Sequence, residues 1–482
     1  MSIVSVSTPV RRFRLLRGLH FGLSFSLALG FCGLFLNACA VRRHVSEVQP
    51  LVPPSPAYGQ SALSAGISAS TQPWWRTFND PLLDQLVTAA LRTNLGLMEL
   101  SARVEQADAL LRQARGRLFP TLNANGTVEA QQVTDANATF AGDETASVGG
   151  TLSWELDVWG RLRAAREGRR HERIAVAHDW LGGRLLLSAL VTETYFEMLE
   201  QQEQIRLAHE QIAVNETLLD LTKLRFGQGQ SSIVDVLQQQ EQLASTRSRL
   251  PEIESRFQQL AYALDVLLAG APGTRAQEVR GELKEPPAFP RGGVPSDLLV
   301  HRPDLVAARH VVAAADSEVA EAMADRLPRF MIGGSAAGIG DLTPNALVTS
   351  AFASLAGPIF DAGTRKAEVD LRRAAVRERL ARFSGAYLVA VQEVETAFMQ
   401  EQKQAERVRL LAEQLTVAQR LLRETRNRYS QGLTDYLPVL NAVVTEQNLQ
   451  RQILASRRQW LGRRVALHRA LGGPMEAEAP VL

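Results

Sequence analysis

Two stretches of this chain spell the same turn. LRFGQGQSSIVDVL (Leu224 to Leu237) returns as NRYSQGLTDYLPVL (Asn427 to Leu440), with Arg225 matched by Arg428, Phe226 by Tyr429, Gly229 by Gly432 and Leu237 by Leu440. Each pair lies 203 residues apart, and so do Gly270 and Gly473. Pro120 and Pro328 are 208 apart, which places a five-residue difference between the halves at their strand pairs, where loops absorb it. An internal duplication explains this spacing. Each half reads as helix, two strands, long helix, glycine turn and helix. The first runs over 74–270 and the second over 296–473, joined by a Pro/Gly-rich linker at 271–295 and followed by a short tail at 474–482. Glycine supplies the backbone freedom needed to reverse a helix at each turn.

The long helices come next. Proline is absent between Pro120 and Pro251 and between Pro358 and Pro438. A helix from Arg161 to Arg225 would be roughly 100 Å long at 1.5 Å per residue. That exceeds a bilayer several times over, and the segment is too charged to lie in lipid. Its apolar residues recur every seven: Val191, Met198, Ile205, Ile212, Leu219, Phe226. The second half repeats the series as Val394, Glu401, Val408, Leu415, Leu422, Tyr429, broken only by Glu401. A seven-residue repeat marks helices supercoiled against neighbours. A soluble coiled-coil rod would show the same signal, so the strands must decide.

Strands are expected at 121–132 and 147–158 in the first half (a hairpin over 121–158), and at 329–340 and 350–359 in the second (a hairpin over 329–359). Val148, Leu152, Trp154 and Leu156 alternate with Ser147, Thr151, Ser153 and Glu155. Alternating strands of about ten residues suit a tilted membrane crossing, although a half-buried soluble hairpin looks alike. In lipid, four strands cannot close, and open edges leave unpaired amides. Eight strands from two copies would fill their own interior; twelve from three copies leave room for a channel.

The amino terminus has the pattern of a bacterial lipoprotein signal at 1–38. Arg11, Arg12, Arg14 and Arg17 precede an apolar run from Phe21 to Phe35, which ends in Leu36-Asn37-Ala38-Cys39. Cys39 is therefore the expected lipid (palmitate) attachment, and Ala40 favours outer-membrane sorting. A linker at 39–73 carries Pro50, Pro53, Pro54 and Pro56. Loss of the four arginines takes the formal charge from +2 to −2, which leaves no basic excess for nucleic acid. With Cys32 removed and Cys39 acylated, no disulfide is expected. Aromatic residues make up only 6% of the chain, which suits long helices.

Several motifs then converge on one family. WWRTFNDPLLDQLVTAALRTN (Trp74 to Asn94), SWELDVWGRLRAA (Ser153 to Ala165), HRPDLVAARHVVAAA (His301 to Ala315) and GPIFDAGTRKA (Gly357 to Ala367) resemble the outer-membrane efflux lipoproteins of the TolC family, NodT branch. The likeness implies an α+β membrane protein: a trimeric twelve-strand β-barrel in the outer membrane, four strands per chain, continued into a long periplasmic α-helical barrel. It implies a homotrimer that works with a periplasmic adaptor and an inner-membrane pump of the RND type, sits in outer-membrane lipid and uses no cofactor. His301 replaces a usual Arg and Arg309 a usual Glu, so no ion pair is carried over there.

The tips, near 226–235 and 429–438, become the candidate site. Arg225, Phe226, Gly229, Arg428, Tyr429 and Gly432 are the expected adaptor contacts, while both arginines also suit the negative end of a helix dipole. Asp235 resembles the acid that ties neighbouring tip helices together in relatives. Relatives also place aspartates where this chain has Pro438 and Asn441; the nearest acid is Asp435. Asp235, Thr434, Asp435 and Asn441 are thus the gate candidates, with an ordinary helix-start role open for Asp435. Pro438 falls in the first turns of a helix, where a missing N–H costs least.

Catalytic patterns are incomplete. His171-Glu172 opens like a zincin motif, but Ala175 stands at the second histidine. GGSAAG (Gly333 to Gly338) lacks the last glycine of a nucleophile elbow, and its glycines suit a sharply curved strand better. The eight histidines show no ligand spacing in sequence. A periplasmic adaptor would have one helical hairpin between β-rich domains rather than two similar halves. A duct for exported proteins would look like an efflux duct and remains the alternative.

Overall fold

The computed structural model describes residues 48–59, 72–134, 140–274, 279, 281–289, 293–340 and 345–473. The signal segment and Cys39 lie outside the described residues. The helices are α1 (Pro81–Thr93), α2 (Leu95–Gly116), α3 (Arg161–Gly227), α4 (Ile233–Leu267), α5 (Pro303–Ala324), α6 (Thr364–Ser430) and α7 (Tyr436–Ala470). The strands are β1 (Thr121–Thr134), β2 (Phe140–Leu156), β3 (Arg329–Gly340) and β4 (Ala346–Ala356). Both long helices, α3 and α6, have 67 residues, and both returning helices, α4 and α7, have 35. The chain divides into a sheet unit, with described parts within 112–168 and 315–374, and a helical unit within 47–111, 169–314 and 375–482.

The sheet unit is a four-stranded antiparallel sheet in the order β1-β2-β3-β4. Its register pairs Leu122 with Leu152, Trp154 with Ile332, Gly338 with Leu347 and Phe330 with Leu355. Residues directly opposite one another share a face. One face therefore gathers Leu122, Val128, Val148, Leu152, Trp154, Phe330, Ile332, Leu347 and Leu355, with glycines and alanines between them. Across the paired residues 121–130, 145–156, 330–340 and 347–355, Thr349 is the one polar residue on that face. The opposite face carries Asn123, Asn125, Thr127, Glu129, Ser147, Thr151, Ser153, Ser335 and Ser350, with hydroxyl pairs at Thr121–Ser153 (2.9 Å) and Ser335–Ser350 (2.8 Å). Crowding on this polar face is severe: a Cβ at Gly149 would lie 2.7 Å from the Cβ of Ala337.

Strand ends depart from the sequence expectation. β2 begins at Phe140 rather than Ser147, because pairing with β1 extends to Thr134–Phe140. It stops at Leu156 rather than Val158, because Asp157 is committed to the next helix: its carboxylate accepts from the Leu162 and Arg163 amides at 2.9 Å each. β4 starts at Ala346, opposite Ile339, and ends at Ala356, before Gly357-Pro358. Asp361 repeats the device before α6, accepting from the Gly363 and Arg365 amides at 3.0 and 3.2 Å. Two of the family-like motifs are thus helix entries, where a carboxylate satisfies otherwise orphaned N–H groups. In the first, Trp159 donates to the Pro328 carbonyl at 2.7 Å and Arg161 grips Glu155 at 2.8 Å.

In the helical unit, Trp74, Trp75 and Phe78 pack with Leu83, Val191, Tyr195, Met198 and Leu264 in one core. Asp80 caps α1, accepting from the Leu82 and Leu83 amides, and its other oxygen accepts from the Tyr195 hydroxyl at 2.7 Å. A second core holds Tyr58, Leu305, Phe383, Tyr387, Val394 and Leu467. His468 is enclosed by Trp74, at 5.4 Å between ring centres, and Phe78; burial lowers its pKa to about 3 and keeps it neutral. α3 has a stretch apolar enough to cross a membrane by composition (hydropathy 1.3), but its Leu185, Val191 and Met198 are core residues. The HRPDL motif is a clamp: Arg302 reaches Asp304 and Glu393 at 2.7 Å and the Ala470 carbonyl at 3.2 Å.

Glu401, the break in the heptad series, is fully buried and paired with Arg464 of α7, whose Nε donates at 2.8 Å. Arg464 also donates to the carbonyls of Pro287 and Ala288 and lies 4.7 Å over the Phe289 ring. At the positions 203 earlier stand Met198 and Ala261, both apolar and buried. The polar pair therefore fastens the 281–289 segment to the helices. Glu401→Gln should cost about 3–5 kcal/mol, because Arg464 is left charged and buried. Denaturant unfolding of the detergent-extracted protein measures it. The joint change Glu401→Met, Arg464→Ala should cost less than the single one while making 281–289 sensitive to protease.

Candidate functional site

Both glycine turns end their long helix in the same way. The Gln230 amide donates to the Arg225 carbonyl at 2.8 Å and the Gly229 amide to Phe226 at 2.9 Å; Leu433 to Arg428 (2.9 Å) and Gly432 to Tyr429 (3.0 Å) repeat the pair. This is the Schellman arrangement, whose C′ residue needs positive φ. Gly229 and Gly432 both have φ +71°, and a Cβ on either would meet nothing within 4 Å. Conformation, not space, requires glycine there.

The returning helices start differently. Ser232 caps α4, its hydroxyl accepting from the Val234 amide at 3.1 Å, while Asp235 accepts from the Ser232 amide at 3.0 Å. Asp235 thus closes a capping box, a role the sequence reading did not give it. Asp435 occupies the N-cap of α7 with no side-chain cap bond and is exposed. Pro438 is the third residue of α7, where no intrahelical amide bond is lost. Thr434 is half-buried and Asn441 exposed.

The two arginines part company. The Arg225 guanidinium lies 4.4 Å over the Tyr429 ring and donates to the Tyr429 carbonyl at 3.1 Å, tying the first turn to the second. Arg428 points away, exposed, and pairs only along its own helix with Glu424 at 3.0 Å. Tyr429 is buried and Phe226 is 44% exposed. Behind Tyr429, Tyr436 packs at 5.4 Å and donates to Gln239, and burial pushes both tyrosine hydroxyls above their ordinary pKa.

Tyr436 begins a buried polar seam that joins α3 and α4 to α7. Gln239 donates to the Asn215 carbonyl (2.8 Å), Asn215 to Thr246 (2.9 Å), Gln242 to Gln447 (3.2 Å) and Gln211 to the Gln447 carbonyl (3.2 Å) and Gln450 (2.9 Å). Gln204 reaches the Arg451 carbonyl at 3.0 Å. The sequence reading missed this seam, although its signal was present. Gln204, Gln211, Leu218 and Arg225 form a second seven-residue series, one position before Ile205, Ile212, Leu219 and Phe226. Ile212 and Leu219 pack with Val236 and Leu243 of α4; Leu218 packs with Tyr436, Val439 and Val443 of α7. Two adjacent stripes therefore serve two different neighbours.

A sheet apolar over most of one face, on a chain of 67-residue helices that turn at paired glycines, defines a β-sheet protein of the outer membrane rather than a soluble rod. Comparison with known proteins agrees. The family described as Outer membrane efflux protein matches residues 86–270 and 294–473, and the chain belongs to it. It is similar to the pyoverdine export outer membrane protein OpmQ of Pseudomonas putida, 29% identical over 440 residues, which span 88% of this chain and 93% of OpmQ. It is also similar to the toluene efflux pump outer membrane protein TtgC of Pseudomonas putida, 28% identical over 470 residues (93% of this chain, 95% of TtgC). The solved structure of the outer-membrane channel OprN superposes with a TM-score of 0.82 at 25% identity, covering 90% of this chain and 99% of that one.

Arg225→Ala should loosen both turns, since a cation–π contact of about 0.5–2 kcal/mol and a carbonyl hydrogen bond are lost together. Arg428→Ala should cost under about 0.5 kcal/mol, as for an exposed helix pair. Amide exchange at 225–236 and 428–436 distinguishes the two.

Proposed function

We propose that this protein is the outer-membrane exit duct of a tripartite efflux assembly, three copies of which close a twelve-strand barrel over a helical conduit. The single-faced apolar sheet carries this reading. Leu122 and Leu347, on the two edge strands, are each 75% exposed, which is costly in water and favourable in lipid. The edges β1 and β4 present unpaired amides that lipid cannot satisfy. They run in opposite directions, so β4 of one copy and β1 of the next would pair antiparallel, like every other neighbour in the sheet. The polar face, with Glu129 and its hydroxyls and amides, would line the lumen.

The helices support the same closure, on the reading that the two halves, 74–270 and 296–473, are repeats. α3 meets α7 through Gln204, Gln211 and Leu218, and Arg225 meets Tyr429 at the end of α6. The matching series on α6, Arg407, Gln414, Leu421 and Arg428, is exposed throughout. On α4, the positions that match Val443, Gln447, Gln450 and Arg451 of α7 are Gln240, Ala244, Arg247 and Ser248, also exposed. The uncovered α6 face at Arg407, Gln414 and Leu421 would therefore seat on α4 of the next copy.

At the closed tip, the adaptor would meet the six glycine turns, with Phe226, Gly229, Tyr429 and Gly432 at the contact. Asp235, Thr434, Asp435 and Asn441 would border the aperture. Conduction is passive, and an inner-membrane pump supplies the energy. The cargo would be small molecules of the kind that the relatives' names record, toluene and pyoverdine; export of proteins is not favoured.

Mature chain without free cysteine allows a clean test. Gln414→Cys with Ala244→Cys should give disulfide-linked species up to trimer mass on a non-reducing gel. Ala412→Cys, turned off that face, with Ala244→Cys should give none. A monomer by mass in detergent would overturn the trimer; a trimer without the Gln414–Ala244 link would overturn only this interface. Asp235→Ala should raise the leak conductance in planar bilayers and the entry of large antibiotics, and wild-type conductance would remove Asp235 from the gate.

A further inference from the structure

Three of the eight histidines, unremarkable in sequence, come together in the helical unit. His171 and His178 lie one heptad apart on α3, and His310 lies on α5. The Nδ1 atoms of His171 and His310 are 3.0 Å apart, with ring centres at 5.2 Å and planes within 27°. A centre separation of 5.2 Å is nearly the largest that a 3.0 Å Nδ1···Nδ1 distance allows. The two nitrogens therefore lie between the rings, which meet edge to edge in nearly one plane. That is the geometry of an N–H···N hydrogen bond, not of face-to-face stacking. A tetrahedral ion would hold the two nitrogens about 3.3 Å apart with its bonds bent well off the line between them, whereas here the nitrogens face each other along that line, so the pair as it stands holds a proton and not a metal.

We propose that His171 and His310 form a proton-sensitive joint between α3 and α5 that opens when the pair takes up its second proton. The protonation states follow from the bond. In the neutral pair, one imidazole donates through Nδ1–H and the other accepts on a bare Nδ1. A first added proton goes to the unprotonated Nε2 of the donor and leaves the bond intact, now charge-assisted. The second has only the accepting Nδ1 left, the very lone pair that makes the bond. Two imidazolium N–H groups then face each other and the contact is lost.

The surroundings oppose that second charge. Arg309 and His310 lie on α5, and Arg170, His171 and His178 on α3; burial bears most on His310, and His171, Arg309, His178 and Arg170 act on it in the same direction. His310 is held down to about 4 as a result. His178, 6.4 Å from His310 between ring centres, is also lowered, by burial and Arg309, and its Nδ1 is buried without a partner. No carboxylate is among the groups that act on His178 or His310. The sign is plain: a histidine whose folded pKa lies below the free value contributes stability above that value, and loses it as pH falls from about 6.5 toward about 4. The joint is thus closed at neutral pH and opens in acid.

Amide exchange of the intact detergent-extracted protein, expressed as protection factors, tests this whether or not the assembly conducts. Between pH 7 and pH 4, protection at 169–180 and 304–314 should fall in the wild type by about tenfold more than in His310→Gln. Glutamine keeps an N–H donor for His171 and cannot titrate. Equal losses in wild type and variant, or no loss in the wild type, would overturn the proposal. If His310→Gln is already unprotected at pH 7, His171→Gln takes its place in the same comparison, and the wild-type profile alone remains decisive.

Discussion

A sheet with one predominantly apolar face and two bare edges imposes most of what this molecule must do. The alternation along β2 and β3 places leucine, valine, tryptophan and phenylalanine together on one side, and on the other the hydroxyls of Ser147, Thr151, Ser153 and Ser335 with Glu155, Met331 and Ile339. Water accommodates the second side and lipid the first. Lipid, however, offers no partner to a free N–H or C=O, so such a sheet is stable in a bilayer only once its edges are paired. Everything else in the chain can be understood as carrying, entering and leaving that sheet: carboxylate caps at Asp157 and Asp361 begin α3 and α6 just after the strands end, and the long helices run on from there.

Much of this was legible in the residues. The 203-residue offset is borne by helices of equal length that begin at Arg161 and Thr364, and again at Ile233 and Tyr436. Strand faces followed from period two, because a pleated backbone leaves no other choice. Strand ends were less legible, since they depend on which residue the next helix claims as its cap. Asp157 reads equally well as the end of a strand or the start of a helix, and only the two amides it accepts from decide. The family-like motifs proved informative about structure before function: SWELDVWGRLRAA and GPIFDAGTRKA are entries to helices, and HRPDL is an arginine clamp.

The site was legible in outline and not in its wiring. Gly229 and Gly432 were found because positive φ has a sequence signature. The partners of Arg225 were not, because a cation over a tyrosine 204 residues away leaves no local mark. The same holds for His171 and His310, which are 139 residues apart and meet only because two helices bring them together. The buried seam of Gln204, Gln211, Asn215, Gln239 and Gln447 was hidden for another reason. Glutamine on a helix reads as solvent-facing, and burial of amides pays only when each finds a partner. Here the partners are on three helices.

Equal backbones with unequal side chains explain why two halves so alike differ where they do. Arg225 and Arg428 end matching helices through matching hydrogen bonds, yet one has a tyrosine of its own chain beneath it and the other has none. Met198 and Ala261 fill a dry contact that Glu401 and Arg464 fill with an ion pair. The second difference has a physical origin in chain connectivity. A segment must cross from the first half to the second once, and the Pro287 and Ala288 carbonyls and the Phe289 ring arrive beside α6 and α7, where Arg464 receives all three. Earlier in the same segment, Val279 and Leu283 join the apolar core that holds Met198, so no charged pair is required there. A buried arginine is costly without partners, so it belongs in the half that supplies them, and the heptad interruption at Glu401 follows from that placement.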